Sequence, residues 1–142
     1  MPTQVAYNVP IESQRKTFYH LGRFWIFSDN GAGAIVYTTS TDGVTWSAWS
    51  TITSGTGYRN VAIYVDYVNN KIYLSWNDGG GKHFFFKQGT LNADGSITWG
   101  ANETVATITE TSSDRQNIWV DANGTVWIVG YGYNADTSEP WY

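Results

Sequence analysis

The sequence contains no cysteine, which excludes disulfide bonds, thiol nucleophiles and thiolate-bound metals. Positive charge is also scarce, because only eight Lys and Arg residues are scattered among 142 positions and the formal net charge is −4. Nucleic acids and anionic membranes are bound through clustered basic faces, so neither is expected as a partner. No apolar run approaches the roughly 20 residues that are needed to cross a bilayer.

Two further patterns are missing. No window of about 11 residues repeats the apolar spacing of an amphipathic helix. The N-terminal stretch MPTQVAYNVP has neither the basic start nor the apolar centre of a signal peptide, and the compartment stays open. Aromatic residues, in contrast, make up 17% of the chain, and the apolar runs are rich in Val, Ile, Thr, Tyr, Phe and Trp. These residues suit a pleated surface, so the sequence predicts an all-β protein.

Similar segments recur along the chain. The runs RFWIFSDN (23–30), KIYLSWND (71–78) and TVWIVGYG (125–132) each place an aromatic residue third: Trp25, Tyr73 and Trp127. Neighbouring segments and Asn/Asp-Gly turns complete units of about 50 residues, each of which is interpreted as four short antiparallel strands. Continuous apolar runs need cover on both faces, which stacked sheets provide. The pattern is typical of a β-propeller, and a single β-sandwich is the alternative.

Two turns of related composition lie at corresponding places in the first two units. STDGVTW (40–46) and NADGSITW (92–99) resemble the Asp-box (BNR) motif of sialidase-like β-propellers, whose usual form is Ser-x-Asp-x-Gly-x-Thr-Trp. The first copy is one residue shorter between Asp and Thr, and the second has Asn in place of Ser. The matching residues are Ser40, Asp42, Thr45 and Trp46, then Asp94, Thr98 and Trp99.

The resemblance implies a structural role for these residues, at the periphery of the fold and away from any ligand. The carboxylate of such a turn can accept hydrogen bonds from turn amides that have no partner in the sheet. The Thr and Trp are expected to begin the strand that follows.

The repeat predicts one partial propeller domain over residues 1–142. An N-terminal strand (1–14) precedes a first blade at 15–54, a second at 55–108 and an incomplete third at 109–142. Closed propellers have about 4–8 blades, so three blades cannot close alone. Either the sequence belongs to a longer propeller, or copies assemble. We expect a homodimer of six blades, with TQVAYNV (3–9) supplying the missing strand of the third blade.

Candidate ligand-binding residues precede the first, innermost strand of each unit, where Arg15, Arg59 and Arg115 occupy similar places. Sialidases likewise bind a carboxylate with arginines from inner strands, and a guanidinium gives a carboxylate two parallel charge-assisted hydrogen bonds. The structural alternative is that each arginine caps a loop or pairs with a neighbouring carboxylate such as Asp114.

Tryptophans are the second group of candidates. Trp49, Trp76 and Trp141 lie near strand ends and are expected to be exposed, where they could stack on sugar rings. Trp25, Tyr73 and Trp127 are expected to pack between blades instead.

The resemblance to sialidases does not extend to their catalytic residues. The four glutamates, Glu12, Glu103, Glu110 and Glu139, lie outside repeated inner-strand positions, and neither histidine lies in a nucleophile-elbow context. We therefore predict a non-catalytic propeller module that recognises carbohydrate, with no catalytic residue, metal or cofactor. A structural or protein-interaction propeller, or part of a sialidase-like glycoside hydrolase, is the alternative.

Overall fold

The computed structural model describes residues 16–78, 83–107, 112–133 and 138–141. Within these ranges the chain forms strands and turns without any helix, and neighbouring strands pair antiparallel. The all-β prediction is therefore confirmed. The predicted N-terminal strand and Arg15 lie outside the described residues.

The strands form three sheets in which the spatial order follows the chain order. The first sheet contains β1 (Thr17–His20), β2 (Arg23–Asp29), β3 (Ala34–Ser40) and β4 (Ser50–Ser54). The second contains β5 (Arg59–Asp66), β6 (Lys71–Asn77) and β7 (His83–Leu91), and then β8 (Ile97–Trp99) and β9 (Glu103–Thr107), which pair with successive stretches of β7. The third contains β10 (Ser112–Val120), β11 (Val126–Tyr133) and β12 (Ser138–Trp141).

Tight turns join the first two strands of each sheet. Leu21 and Gly22, with φ of 54° and 73°, form the two-residue turn between β1 and β2. In the second sheet, Asp66 accepts hydrogen bonds from the amides of Val68 and Asn69, both at 3.0 Å. Such local side-chain bonds favour a turn over a continuing strand. We call the side of the stack that carries these turns the hairpin edge.

The sheets stack face to face. Phe18, Trp25 and Phe27 of the first sheet are buried against Ile63 and Leu74 of the second. Alternate residues of a strand point to opposite faces, so a strand that is covered on both sides reads as a continuous apolar run. The other face of the second sheet accordingly packs on the third, through residues that include Ala62, Phe86 and Ile118.

Two expectations about tryptophan exposure are wrong. Trp76 is fully buried and stacks on Phe85 with ring centroids 5.5 Å apart, because it lies on the face of β6 that packs against the first sheet. Trp127 is 53% exposed, because its face of β11 has no sheet packed on it in the described structure. Trp25 is fully buried as expected, and Tyr73 and Trp49 are half-buried. The side chain of Trp141 is not among those described.

Candidate functional site

The carboxylate of Asp42 holds the turn between β3 and β4. It accepts hydrogen bonds from the amides of Thr45 at 2.7 Å and Val44 at 2.8 Å, and from the hydroxyl of Ser40 at 2.9 Å. These bonds, led by the Thr45 amide, hold the pKa of Asp42 well below its ordinary value. The Ser40 oxygen also accepts from the amide of Gly43, whose φ of 73° suits glycine. The polar groups of this turn therefore bind one another.

The strand after this turn begins later than expected. Thr45 and Trp46 lie in the turn and the loop beyond it, and β4 starts only at Ser50. Trp46 is consequently 36% exposed. The prediction that these two residues begin the strand is wrong for this shorter copy of the motif.

A similar arrangement holds the turn between β7 and β8. Asp94 accepts hydrogen bonds from the hydroxyl and the amide of Ser96, at 2.7 and 2.8 Å, and both bonds lower the pKa of Asp94. Asn92 donates to the hydroxyl of Thr98 at 3.1 Å. Thr98 and Trp99 here belong to β8, as the sequence predicts, and the Lys87 ammonium lies 5.6 Å from the centroid of the Trp99 ring.

Of the three predicted arginines, the structure describes two, Arg59 and Arg115, and both lie at or beside register shifts on the side of the stack opposite the hairpin edge. Arg59 pairs with Asn77, and the register between β5 and β6 shifts between Arg59 and Ala62. The register between β10 and β11 shifts between Asp114 and Gln116, so Arg115 is the extra residue of a β-bulge. Bulges re-aim side chains and occur often beside binding sites. The Arg59 side chain is exposed, whereas the side chain of Arg115 lies outside the described residues.

A buried amide network, which the sequence reasoning missed, joins the start of β5, the end of β6 and the middle of β10. Asn77 donates to the side-chain oxygen of Gln116 at 3.0 Å, and Asn60 donates to the side-chain oxygen of Asn77 at 3.4 Å. Gln116 in turn donates to the backbone carbonyl of Asn60. All three side chains are buried. Because Asn60 follows Arg59 and Gln116 follows Arg115, the network fixes the backbone beside both arginines. We call this region the arginine edge.

Asp78 follows β6 and His83 begins β7, and the two side chains meet at the arginine edge. The Nδ1 atom of His83 lies 2.7 Å from Oδ2 of Asp78, and the His83 amide donates to Oδ1 of Asp78 at 3.3 Å. The other histidine, His20, lies at the hairpin edge, with its Nε2 atom 2.7 Å from Oδ1 of Asn70. The two imidazoles are therefore at opposite sides of the stack.

Other classes of site are not seen in the described ranges. No group of three or more His, Cys, Asp or Glu residues lies close enough together there to hold a metal ion. The same ranges contain no helix that is long and apolar enough to span a membrane.

An exposed aromatic face is the second candidate site. Trp119 and Trp127 pair directly across β10 and β11 and are 56% and 53% exposed. Together with Asn117, Ile118 and Val129 they line an open depression of about 490 Å³. Exposed tryptophan pairs of this kind mark either a sugar platform or a protein interface.

The sequence has no match among protein-family models, and its comparison with curated proteins gives no significant match.

Proposed function

We propose that this chain is a non-catalytic recognition module of the β-propeller type that binds acidic carbohydrate at the arginine edge. The observation that carries the proposal is the hydrogen bonding of Asn60, Asn77 and Gln116, which fixes the backbone next to Arg59 in β5 and next to the bulged Arg115 in β10. Residues that must converge on one ligand need such fixed backbone positions.

The sheet arrangement supports a propeller. Each sheet runs up and down in chain order, and each stacks on the next, as blades do around an axis. In that architecture β1, β5 and β10 are the innermost strands, since each is the first strand of its sheet. The arginine edge then lies on two inner strands, β5 and β10, beside the axis, and the resemblance of the two turns to Asp-boxes agrees with the same arrangement.

The chemistry of the arginine edge favours a carboxylated sugar. A guanidinium offers two parallel donors to a carboxylate, whereas the buried amides beside the arginines bond to one another and hold the backbone in place. Asp78, a carboxylate at this edge, is bonded to His83, so it does not stand as an isolated negative charge. A neutral sugar has no carboxylate to accept these paired donors, which predicts a preference for acidic sugars.

The positions of the two Asp-box carboxylates favour recognition of a sugar over its hydrolysis. Glycoside hydrolysis needs an acid and a nucleophile that flank the scissile bond. Asp42 and Asp94 are bound to turn groups at the hairpin edge. They therefore cannot flank a sugar held at the arginine edge.

A calorimetric titration tests the proposal. We expect the wild-type chain to bind sialyllactose or an oligouronate more tightly than lactose. Arg59→Ala and Arg115→Ala should each weaken that binding about ten- to a hundred-fold, since each removes charge-assisted hydrogen bonds of about 1.5–3 kcal/mol.

Arg23→Ala is the matched control for this titration. Its guanidinium lies at the hairpin edge, where Nε donates to the carbonyl of Ala93 at 2.8 Å. The control should leave the affinity unchanged. Equal weakening by all three substitutions, or no binding of any acidic sugar, would contradict the proposal.

A scaffold or protein-interaction role is the second candidate function. The observation that favours it is the exposed pair of Trp119 and Trp127, which lies on a sheet face and away from the arginine edge.

A further inference from the structure

One face of the third sheet is open in the described structure. Asn117 and Trp119 of β10 pair with Val129 and Trp127 of β11, so the four side chains share one face of the sheet. All four are exposed, and the three apolar ones are 48–56% exposed. Ile118, which lies between Asn117 and Trp119 in β10, is buried toward the second sheet. We call the open surface the tryptophan face.

A hydrogen bond fixes the ring of Trp127 while more than half of the side chain stays exposed. Nε1 of Trp127 donates to Oδ2 of Asp121 at 3.3 Å, and Oδ1 of the same carboxylate accepts the amides of Asn123 and Thr125, both at 2.9 Å. The turn between β10 and β11 thus holds the carboxylate, and the carboxylate holds the indole. A ring that is oriented before a ligand arrives loses less conformational entropy on binding.

The chemistry of the tryptophan face suits the ring of a sugar. Indole rings carry partial negative charge on their faces, which attracts the C–H groups of a sugar. Beside them, Oδ1 of Asn117 accepts the amide of Ile118 at 2.9 Å, and Nδ2 of Asn117 has no partner among the described residues. This Nδ2 atom can donate to a hydroxyl group. The face therefore combines an apolar platform with a polar group at its side.

Charge distinguishes the tryptophan face from the arginine edge. Among the described residues, no charged side chain lines the depression of about 490 Å³ on this face. Hydrogen bonds, led by that from the Thr125 amide, lower the pKa of Asp121, so the carboxyl that holds Trp127 is ionised at neutral pH. A negative charge beside the rings repels a carboxylated sugar. The tryptophan face thus favours neutral sugars, whereas the arginine edge favours acidic ones.

The size of the tryptophan face favours a small ligand over a protein. Two indoles that are about half exposed offer roughly 150–300 Å², since an aromatic side chain buries about 150–250 Å² in full. A stable protein interface takes about 800 Å² from each partner, which is more than the described part of this face supplies. The depression is, in contrast, within the range of about 300–1,000 Å³ that small-molecule sites occupy.

We propose that the tryptophan face binds a neutral oligosaccharide, with consecutive sugar rings stacked on Trp119 and Trp127 and a hydroxyl group bonded to Asn117. The sugars concerned have equatorial ring hydroxyls, as in the glucan chains of cellulose, because such rings present flat C–H faces. The inference goes beyond the acidic site proposed above, since it needs neither Arg59 nor Arg115. The chain then holds one site for neutral and one for acidic sugars.

Calorimetric titration with cellohexaose tests the tryptophan face. We expect the wild type to bind this sugar, and Trp119→Ala and Trp127→Ala each to weaken the binding about ten-fold or more, as loss of a central aromatic contact does. Trp127→Phe, which keeps a smaller ring, should retain part of the affinity. Trp46→Ala is the matched control and should keep the wild-type affinity, because Trp46 is also exposed but lies in the loop after β3. Circular dichroism checks that each variant is folded.

A crossed titration separates this inference from the function proposed above. Cellohexaose should keep its affinity in Arg59→Ala, and an acidic oligogalacturonate should keep its affinity in Trp127→Ala. Failure of oligogalacturonate alone to bind would contradict the acidic site and leave the tryptophan face standing. Loss of cellohexaose binding in Arg59→Ala but not in Trp127→Ala would place neutral sugars at the arginine edge and overturn the inference.

Three further results would overturn the inference. The first is no heat from the wild type at about 1 mM cellohexaose, and the second is unchanged affinity in both Trp119→Ala and Trp127→Ala. The third comes from sedimentation equilibrium: a wild type that self-associates beside a Trp127→Ala variant that stays monomeric would make the tryptophan face an interface between copies of the chain.

Discussion

Single carboxylates hold the turns of this protein, and they do so through bonds that are local in sequence. The Oδ1 atoms of Asp42, Asp94 and Asp121 each accept the amide of the residue two positions later. Hydrogen bonds of this kind lower the pKa of all three carboxyl groups. Because the partners are at most a few residues away, the composition of each turn was enough to predict that its carboxylate holds the turn, but not where the next strand begins after Asp42.

Asp42→Asn should make the stability of the folded protein less dependent on acid pH. The folded pKa of Asp42 lies below its ordinary value of 3.8. Its stabilising contribution is therefore present above that value and is lost as the pH falls through the folded pKa. We expect the melting temperature of Asp42→Asn to be lower than wild type at pH 7 and the difference to shrink toward pH 2.

Val44→Ala, which changes an exposed side chain of the same turn and no titrating group, is the control and should keep the wild-type pH profile. Thermal melts followed by circular dichroism measure all three proteins. Parallel pH profiles of wild type and Asp42→Asn would contradict this account of the turn.

The two tryptophans whose exposure was predicted wrongly show that local sequence does not determine which face of a strand is covered. Trp76 and Trp127 both lie in apolar β runs, and alternation alone places each on one of two faces. Which face is covered depends on the neighbouring sheet, and therefore on residues far away in the chain. The burial of Trp76 and the exposure of Trp127 follow from the stacking order and not from their own surroundings in sequence.

At the scale of strands and sheets, a small residue faces a large one where the second and third sheets pack together. Gly130 of β11 faces Phe84 of β7, and a Cβ atom at position 130 would lie 2.6 Å from the ring of Phe84. The Phe84 side chain is buried, so the ring has little room to move away. The third sheet thus needs glycine at this position to pack on the second.

Gly130→Ala should destabilise the protein by about 1–3 kcal/mol, the usual cost of overpacking a filled core. The smaller side chain of Phe84→Leu should relieve the clash. In urea unfolding, the double variant should therefore lose less stability than the sum of the single variants by about 1 kcal/mol. If the stability losses of the two single variants simply add in the double variant, the two side chains are not in contact, which would contradict this account.

Strand order could be predicted at this scale, but the buried amides could not. Repeated apolar runs and turn residues indicated successive antiparallel strands, and these are present. The bond between Asn77 and Gln116 joins different sheets and residues far apart in sequence. No pattern in the neighbouring sequence marks either residue, so the contact between their side chains depends on how the sheets stack.

For the whole molecule, the stacking of the sheets places the arginine edge and the exposed tryptophan pair on different surfaces. The arginine edge lies at the start of β5 and at the bulge in β10, and the exposed pair of Trp119 and Trp127 lies on a sheet face away from it. Trp127→Glu should therefore leave the arginine edge folded and its affinity for acidic sugar unchanged. The repeat in the sequence indicated the succession of sheets, whereas the open face of the third sheet is visible only once the sheets are stacked.

The most direct test of the account is an NMR titration of the isotope-labelled chain with sialyllactose, in which the backbone amide shifts locate the bound sugar. The proposed recognition site predicts that the largest shifts cluster at Arg59, Asn60, Asn77 and Gln116. Shifts centred on Trp119 and Trp127, or no change at millimolar sugar, would contradict it.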